Sequence, residues 1–188
     1  ETPGLSLIAA ELFSEATTWS GTNAALVVAA DPADPANKVI LLHEDGDASF
    51  FKDVVWPANA LEIKFDYMFR QPRGGESLTV HLGVPPDDVI FYDNAETSLA
   101  TGGLTSSGAF YVGHMAGTTA RLNFVFRTDV PEGGTSGGSL VLDNIRVYGL
   151  VPGSTITLQQ KRPSYVVRVG ETELALETDI AREIFVKR

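Results

Sequence analysis

Leu61–Phe69 (LEIKFDYMF) alternates apolar and charged side chains along most of its length. Leu61, Ile63, Phe65, Tyr67 and Phe69 fall on one parity, and Glu62, Lys64 and Asp66 on the other. A period of two is that of an extended strand, whose successive side chains point to opposite faces. Such a strand has one face to bury and one to wet, which places it in an antiparallel sheet covered on a single side. Arg121–Arg127 repeats the pattern, with Leu122, Phe124 and Phe126 opposite Arg121, Asn123 and Arg127. Two sheets that close their apolar faces on each other make an antiparallel β-sandwich.

Further strand-like runs lie at Leu5–Phe13, Ala24–Ala29, Lys38–His43, Ser49–Lys52, Ser77–Gly83, Val89–Tyr92, Ala109–Val112 and Ser139–Tyr148. The stretches between them are turn material: Asp31–Asn37 (DPADPAN), Gln71–Glu76 (QPRGGE), Thr101–Gly108 (TGGLTSSG) and Glu132–Ser139 (EGGTSGGS). No helix-period segment of useful length precedes residue 150. After Tyr148 the pattern changes. Gly149–Gly153 reads as a turn and Thr155–Gln160 as a strand, followed by a hairpin of Tyr165–Val169 and Thr172–Leu176 turning at Gly170–Glu171. Thr178–Arg182 reads as one helical turn, and Glu183–Lys187 as a last strand. The expected organisation is a sandwich over residues 1–149 and a small β tail over 150–188 that leans on the sandwich or on a neighbour.

The composition excludes several functions. Fourteen Lys and Arg against 24 Asp and Glu leave a net charge of −10. A surface of that sign repels phosphate backbones, so nucleic acid is not an expected partner. The absence of cysteine removes disulfides and thiolate chemistry. No apolar run approaches the roughly 20 residues of a membrane helix. A chain opening at Glu1 suits a mature exported product, secreted or held at the cell surface.

Two family resemblances follow from particular strings. Residues 5–149 resemble the calcium-binding jelly-roll modules found among carbohydrate-binding modules and exported PEP-CTERM-type bacterial proteins. The features are Glu11 and Glu15 followed by Trp19, the strand LEIKFDYMF, and the closing strand SLVLDNIRVYGL. The resemblance implies a structural calcium held by Glu11 (or Glu15) and Asp143. Residues 149–188 resemble the C-terminal part of ferrous-iron transport protein A (FeoA), a small SH3-like barrel, through GLVPGSTITLQQ…YVVRVGETELALETDIAREIFVKR. In that family further strands precede GLVPG, whereas here a jelly-roll strand does. The implication carried over is an SH3-like tail, not a role in iron uptake.

Asp143 carries the strongest physical argument in the chain. It shares strand parity with Val141, Ile145 and Val147, so it is expected to face an apolar layer unless a bulge intervenes. A carboxylate buried without partners costs several kcal/mol, and is relieved by a cation or by strong N–H donors. Asp31, with Asp34 and Asn37 in the same loop, is placed to add oxygen ligands for calcium. The turn Glu44–Asp47 reads as a solvated hairpin, and His43, His81 and His114 as surface histidines without ligand spacing. Gly134–Gly138 (GTSGG) matches G-x-S-x-G by letters only, since a nucleophile elbow needs a strand before the serine and a helix after it. Glu62 and Asp66 read as a solvated face, so the chain is expected to be non-enzymatic. Trp56, Tyr92 and Tyr111 lie in or beside loops, where exposed rings would stack on sugars, whereas Trp19, Tyr67 and Phe69 read as core. Short, self-contained strands at both ends favour a self-associating surface subunit, a filament or matrix component. The alternative is a module that binds an extracellular glycan.

Overall fold

A computed structural model describes residues 5–10, 18–31, 34–72, 75–83, 88–127, 138–154, 156–161, 165–169 and 172–176. The strands are β1 (Ser6–Ala10), β2 (Ser20–Ala30), β3 (Lys38–Val55), β4 (Ala60–Arg70), β5 (Ser77–Leu82), β6 (Val89–Asn94), β7 (Thr105–Ser106), β8 (Phe110–Tyr111), β9 (Thr119–Arg127), β10 (Ser139–Gly149), β11 (Ile156–Gln160), β12 (Tyr165–Val169) and β13 (Thr172–Leu176). A single 3-10 turn, Gly113–Met115, is the only helical element among the described residues. The sequence signals place most of these strands, but β7 lies within the segment read as a loop.

β3 organises the fold. Its first half, from Ile40 to His43, pairs with β10, and its second half, from Ala48 to Val55, pairs with β9. Two layers result. The first runs β3–β10–β4 with β7 and β8 along the outer side of β4 and β1 on the far end of β10. The second runs β3–β9–β5–β6. The sequence reading of two separate strands, Lys38–His43 and Ser49–Lys52, is therefore corrected to one strand of 18 residues. The reason lies in β2, which accompanies β3 from Ala30↔Lys38 to Ser20↔Phe51. Pairing on both sides of Asp45-Gly46-Asp47 keeps those residues extended, and a register shift between Thr22 and Ala24 takes up the change in direction.

The alternation read in the sequence builds the core. Ile63, Phe65, Tyr67 and Phe69 from β4, Leu140 and Leu142 from β10, Leu122, Phe124 and Phe126 from β9, and Leu78, Val80 and Leu82 from β5 all meet between the layers. Phe124 is its aromatic centre. It stacks on Phe50 at 5.1 Å and takes the edges of Trp19 and Phe65 at 5.6 and 5.3 Å. At about 1.5–3 kcal/mol for each such side chain removed from water, this layer is the main driving force for folding. Trp19, Tyr67 and Phe69 are buried as expected.

β10 departs from simple parity. Leu140 and Leu142 point between the layers, while Val141 joins Val39, Leu41 and Met68 in a small cluster on the opposite face of layer one. Asn144 then adopts φ 52°, and the register with β4 slips between Asp143 and Arg146. Beyond this bulge Ile145 and Val147 again face inward. Asp143 thus shares a face with Val141 but not with Ile145 or Val147, which corrects the parity argument.

The tail forms a separate antiparallel sheet, β11–β12–β13, with pairs running from Val169↔Thr172 to Tyr165↔Leu176. Val167 shares a second small core with Leu5, Leu61 and Tyr148, so the tail leans on the sandwich. At the junction a side chain on Gly149 would collide with the Asn59 carbonyl, and the Asn59 amide donates to the Leu150 carbonyl. The expected turn at Gly170–Glu171, the helical turn Thr178–Arg182 and the strand Glu183–Lys187 lie outside the described residues.

Candidate functional site

The outer face of layer two is built by the same alternation that fills the core. Because Leu122, Phe124 and Phe126 point inward, Arg121, Asn123, Val125 and Arg127 point outward. Phe50 inside leaves Phe51 and Asp53 outside, and Leu78, Val80 and Leu82 inside leave Thr79 and His81 outside. Phe91 packs on the core, which turns Tyr92 to solvent at 61% exposure. Register aligns these residues in two rows, Phe51–Asn123–His81–Val89 and Ser49–Val125–Thr79–Tyr92. Phe51 and Tyr92 therefore flank a polar floor from strands three spacings apart, about 14 Å.

Asp53 fixes the Phe51 side of this face. The Arg121 guanidinium donates to its carboxylate through Nε at 2.8 Å and Nη2 at 3.1 Å, and lies 4.0 Å over the Phe51 ring. The same bond holds the Asp53 carboxyl below its ordinary range and the Arg121 guanidinium above its own. Beside Phe51 in the first row sits Asn123, 3% exposed, whose buried Oδ1 accepts no hydrogen bond among the described residues. His81 beside it is 7% exposed, so it is not the surface histidine the sequence suggested.

The residues singled out for sugar stacking do not come together. Tyr92 stands on layer two. Tyr111, on β8, pairs with Glu62 of β4 and stands at the edge of layer one, with its ring 6.1 Å from His114. Trp56 is corrected from exposed to buried. It is 1% exposed, because its backbone N–H donates to the Thr118 carbonyl and its own carbonyl accepts from Gly117, drawing the ring inward. Phe51 was missed. The signal was the pair Phe50-Phe51, since two adjacent strand residues cannot both enter one core.

Asp31 and Asp143 are both 5% exposed. Asn37 links them: its carbonyl accepts the Asp31 backbone N–H, and its amide donates to Asp143 Oδ2 at 2.6 Å. Asp143 Oδ1 accepts the Asn144 N–H at 2.7 Å, so the buried carboxylate is answered by N–H donors. Carboxylates and an amide oxygen are hard donors of the kind calcium takes, but Asn37 is tied to Asp31 only through main-chain atoms, and its side-chain amide meets the Asp143 carboxylate alone. Glu11, the third residue of that reading, lies outside the described residues. Among the described residues no group of three His, Asp or Glu side chains converges.

No curated protein matches the sequence. A family model described as the FeoA domain matches residues 134–188, under a third of the chain, and takes in all of β10 as well as the tail. Among solved structures, TmCBM27, a carbohydrate-binding module studied for specific mannan recognition, superposes with a TM-score of 0.54 at 14% identity, covering 78% of this chain and 99% of its own. The C-terminal family 22 carbohydrate-binding module of Clostridium thermocellum Xyn10B gives 0.51 at 10% identity, covering 82% and 99%. The CBM22-1 xylan-binding domain of Paenibacillus barcinonensis Xyn10C gives 0.50 at 14%, covering 80% and 99%. At these identities the likeness is one of fold. The chain carries the jelly-roll β-sandwich of carbohydrate-binding modules, followed by a segment similar to the SH3-like FeoA domain.

Proposed function

We propose that this chain is a secreted, non-catalytic carbohydrate-binding module that holds a neutral polysaccharide across the outer face of layer two. The observation that carries the reading is Asn123 Oδ1, a buried acceptor without a donor among the described residues, on the face that also carries Phe51 and Tyr92. A sugar hydroxyl supplies the missing donor, while the rings pack on C–H faces of separate units of one glycan chain. Arg121 is engaged by Asp53, which favours a neutral polymer over an acidic one. Mannan and xylan recognition by proteins of similar fold supports this reading over the self-associating surface subunit that the strand pattern alone favours. Affinity electrophoresis through gels containing mannan, xylan or β-glucan tests it. We expect retardation by at least one neutral polymer, weakened tenfold or more in Tyr92→Ala and in Phe51→Ala. Free migration in every gel, or undiminished retardation in both variants, refutes the proposal. A ladder of oligomers on a sizing column would restore the assembly reading.

Calcium at Asp31 and Asp143 belongs to the same proposal as a stabiliser remote from the glycan face. A bound ion adds stability by mass action, so millimolar calcium is expected to raise Tm in the native chain and not in Asp143→Ala.

A further inference from the structure

The alternation that builds the outer face of layer two adds a third row beyond Phe51. Asp53 of β3 pairs with Arg121 of β9, and just past β5 the Gly83 N–H donates to the Arg121 carbonyl at 2.7 Å. Gly83 has no side chain and holds φ 101°, so nothing from that position covers the guanidinium. Nε and Nη2 of Arg121 hold Asp53 along one edge of the guanidinium, at 2.8 and 3.1 Å. Arginine carries five N–H donors in one plane, so its end edge remains as a fork, one N–H from Nη1 and one from Nη2. Among the described residues that fork meets no acceptor. Each Asp53 oxygen takes one of the two bonds and keeps a lone pair. Both side chains reach solvent, at 32% and 59% exposure.

The ion pair therefore offers donors and acceptors along one rim, fixed by the Phe51 ring 4.0 Å from the guanidinium. A hydroxyl both accepts and donates, and hydroxyls on neighbouring carbons set two oxygens side by side. The fork can hold both oxygens while Asp53 accepts the proton of one. A carboxylate would also match the fork, but it has no proton for Asp53 and meets a like charge, which Arg121 keeps ionised. We infer that Arg121 and Asp53 are the specificity-determining corner of the glycan face, and that they read a pair of adjacent hydroxyls on the sugar unit at Phe51. This inference rests on the glycan-binding reading and gives it a substrate class, neutral polymers whose units keep two neighbouring hydroxyls free. A planar fork held by a carboxylate and a ring is preorganised, so little side-chain freedom is lost on binding.

Affinity electrophoresis of the full chain through xylan, linear mannan, laminarin and polygalacturonate tests it. Units of xylan and linear mannan keep hydroxyls on adjacent carbons, whereas interior units of laminarin, linked through the carbon between, keep none. The better of xylan and mannan is expected to retard the native chain at least tenfold more strongly than laminarin, the worth of one hydrogen bond to a charged group. Arg121→Lys keeps the charge beside Asp53 and loses the fork, so this retardation should fall about tenfold, to the laminarin level. Its urea midpoint should barely move, because an exposed ion pair adds little stability. Asp53→Asn should weaken the same retardation severalfold. Equal retardation by laminarin, stronger retardation by polygalacturonate, or undiminished xylan and mannan binding in Arg121→Lys overturns the inference and leaves a glycan-binding module standing. Free migration of the native chain in every gel removes both. Should Arg121→Lys fail to fold, the order of the four polymers on the native chain still decides.

Discussion

Asn123→Leu separates stability from binding at the proposed glycan face. The native side chain is 3% exposed, and its Oδ1 is buried without a donor among the described residues. Leaving an acceptor unpaired costs about 1–3 kcal/mol, whereas replacing the polar group by an apolar one of similar shape removes that cost. Leucine has the same number and branching of heavy atoms, and its methyls would lie beside the Phe51 ring. Some of the gain is lost to imperfect packing, so we expect a net stabilisation of about 1 kcal/mol, or 2–4 °C in Tm for a chain of this size. The same change removes the acceptor for a sugar hydroxyl, so polysaccharide retardation should fall with it. A residue whose removal raises stability and abolishes binding marks a functional site under the usual trade-off. Urea unfolding with unchanged m-value gives the first number and affinity electrophoresis the second. A destabilisation of 1 kcal/mol or more with binding intact would mean that the amide is a satisfied structural group, and the reasoning would fail.

Tyr67 supplies a pH test. Burial, then its hydrogen bond to Asp93, pushes the phenol up to about 12 from an ordinary 10.0. The native state keeps a proton that the unfolded chain loses in that window. Stability is therefore whole below pH 10, falls between about 10 and 12, and stays flat there in Tyr67→Phe, as urea midpoints across the window will show. Phe124→Ala removes the ring shared by Trp19, Phe50 and Phe65 and should cost about 3–5 kcal/mol in the same assay. Asp143→Ala strands the Asn37 amide and the Asn144 N–H, and without calcium should cost about 1–3 kcal/mol by urea unfolding.

The parts of the fold that follow from local periodicity could be read from the sequence. In Leu61–Phe69 and Arg121–Arg127 each residue's face is set by its own place in the alternation, and the structure keeps those faces from Ile63 to Phe69 and from Leu122 to Phe126. The continuity of β3 could not be read, because Asp45-Gly46-Asp47 has the composition of a turn and is held extended by pairing with the distant β2. The turn of Asp143 away from Ile145 depends on one backbone angle at Asn144, a residue that tolerates positive φ without announcing it. Trp56 looked exposed beside Pro57, and only the hydrogen bonds from Gly117 and to Thr118, some sixty positions away, bury it. The polar floor was visible in part: Asn123 and His81 sit on the expected parity, but which strands stand beside them is decided by topology. The FeoA resemblance read from Gly149 extends back to residue 134, across a strand already claimed by the sandwich.

One thread, β3, is stitched into both leaves of the sandwich. Neither leaf can peel away without tearing the seam that anchors the other. Amide protons on the two sides should therefore exchange in a single cooperative opening, with layer one and layer two sharing the same slowest rate.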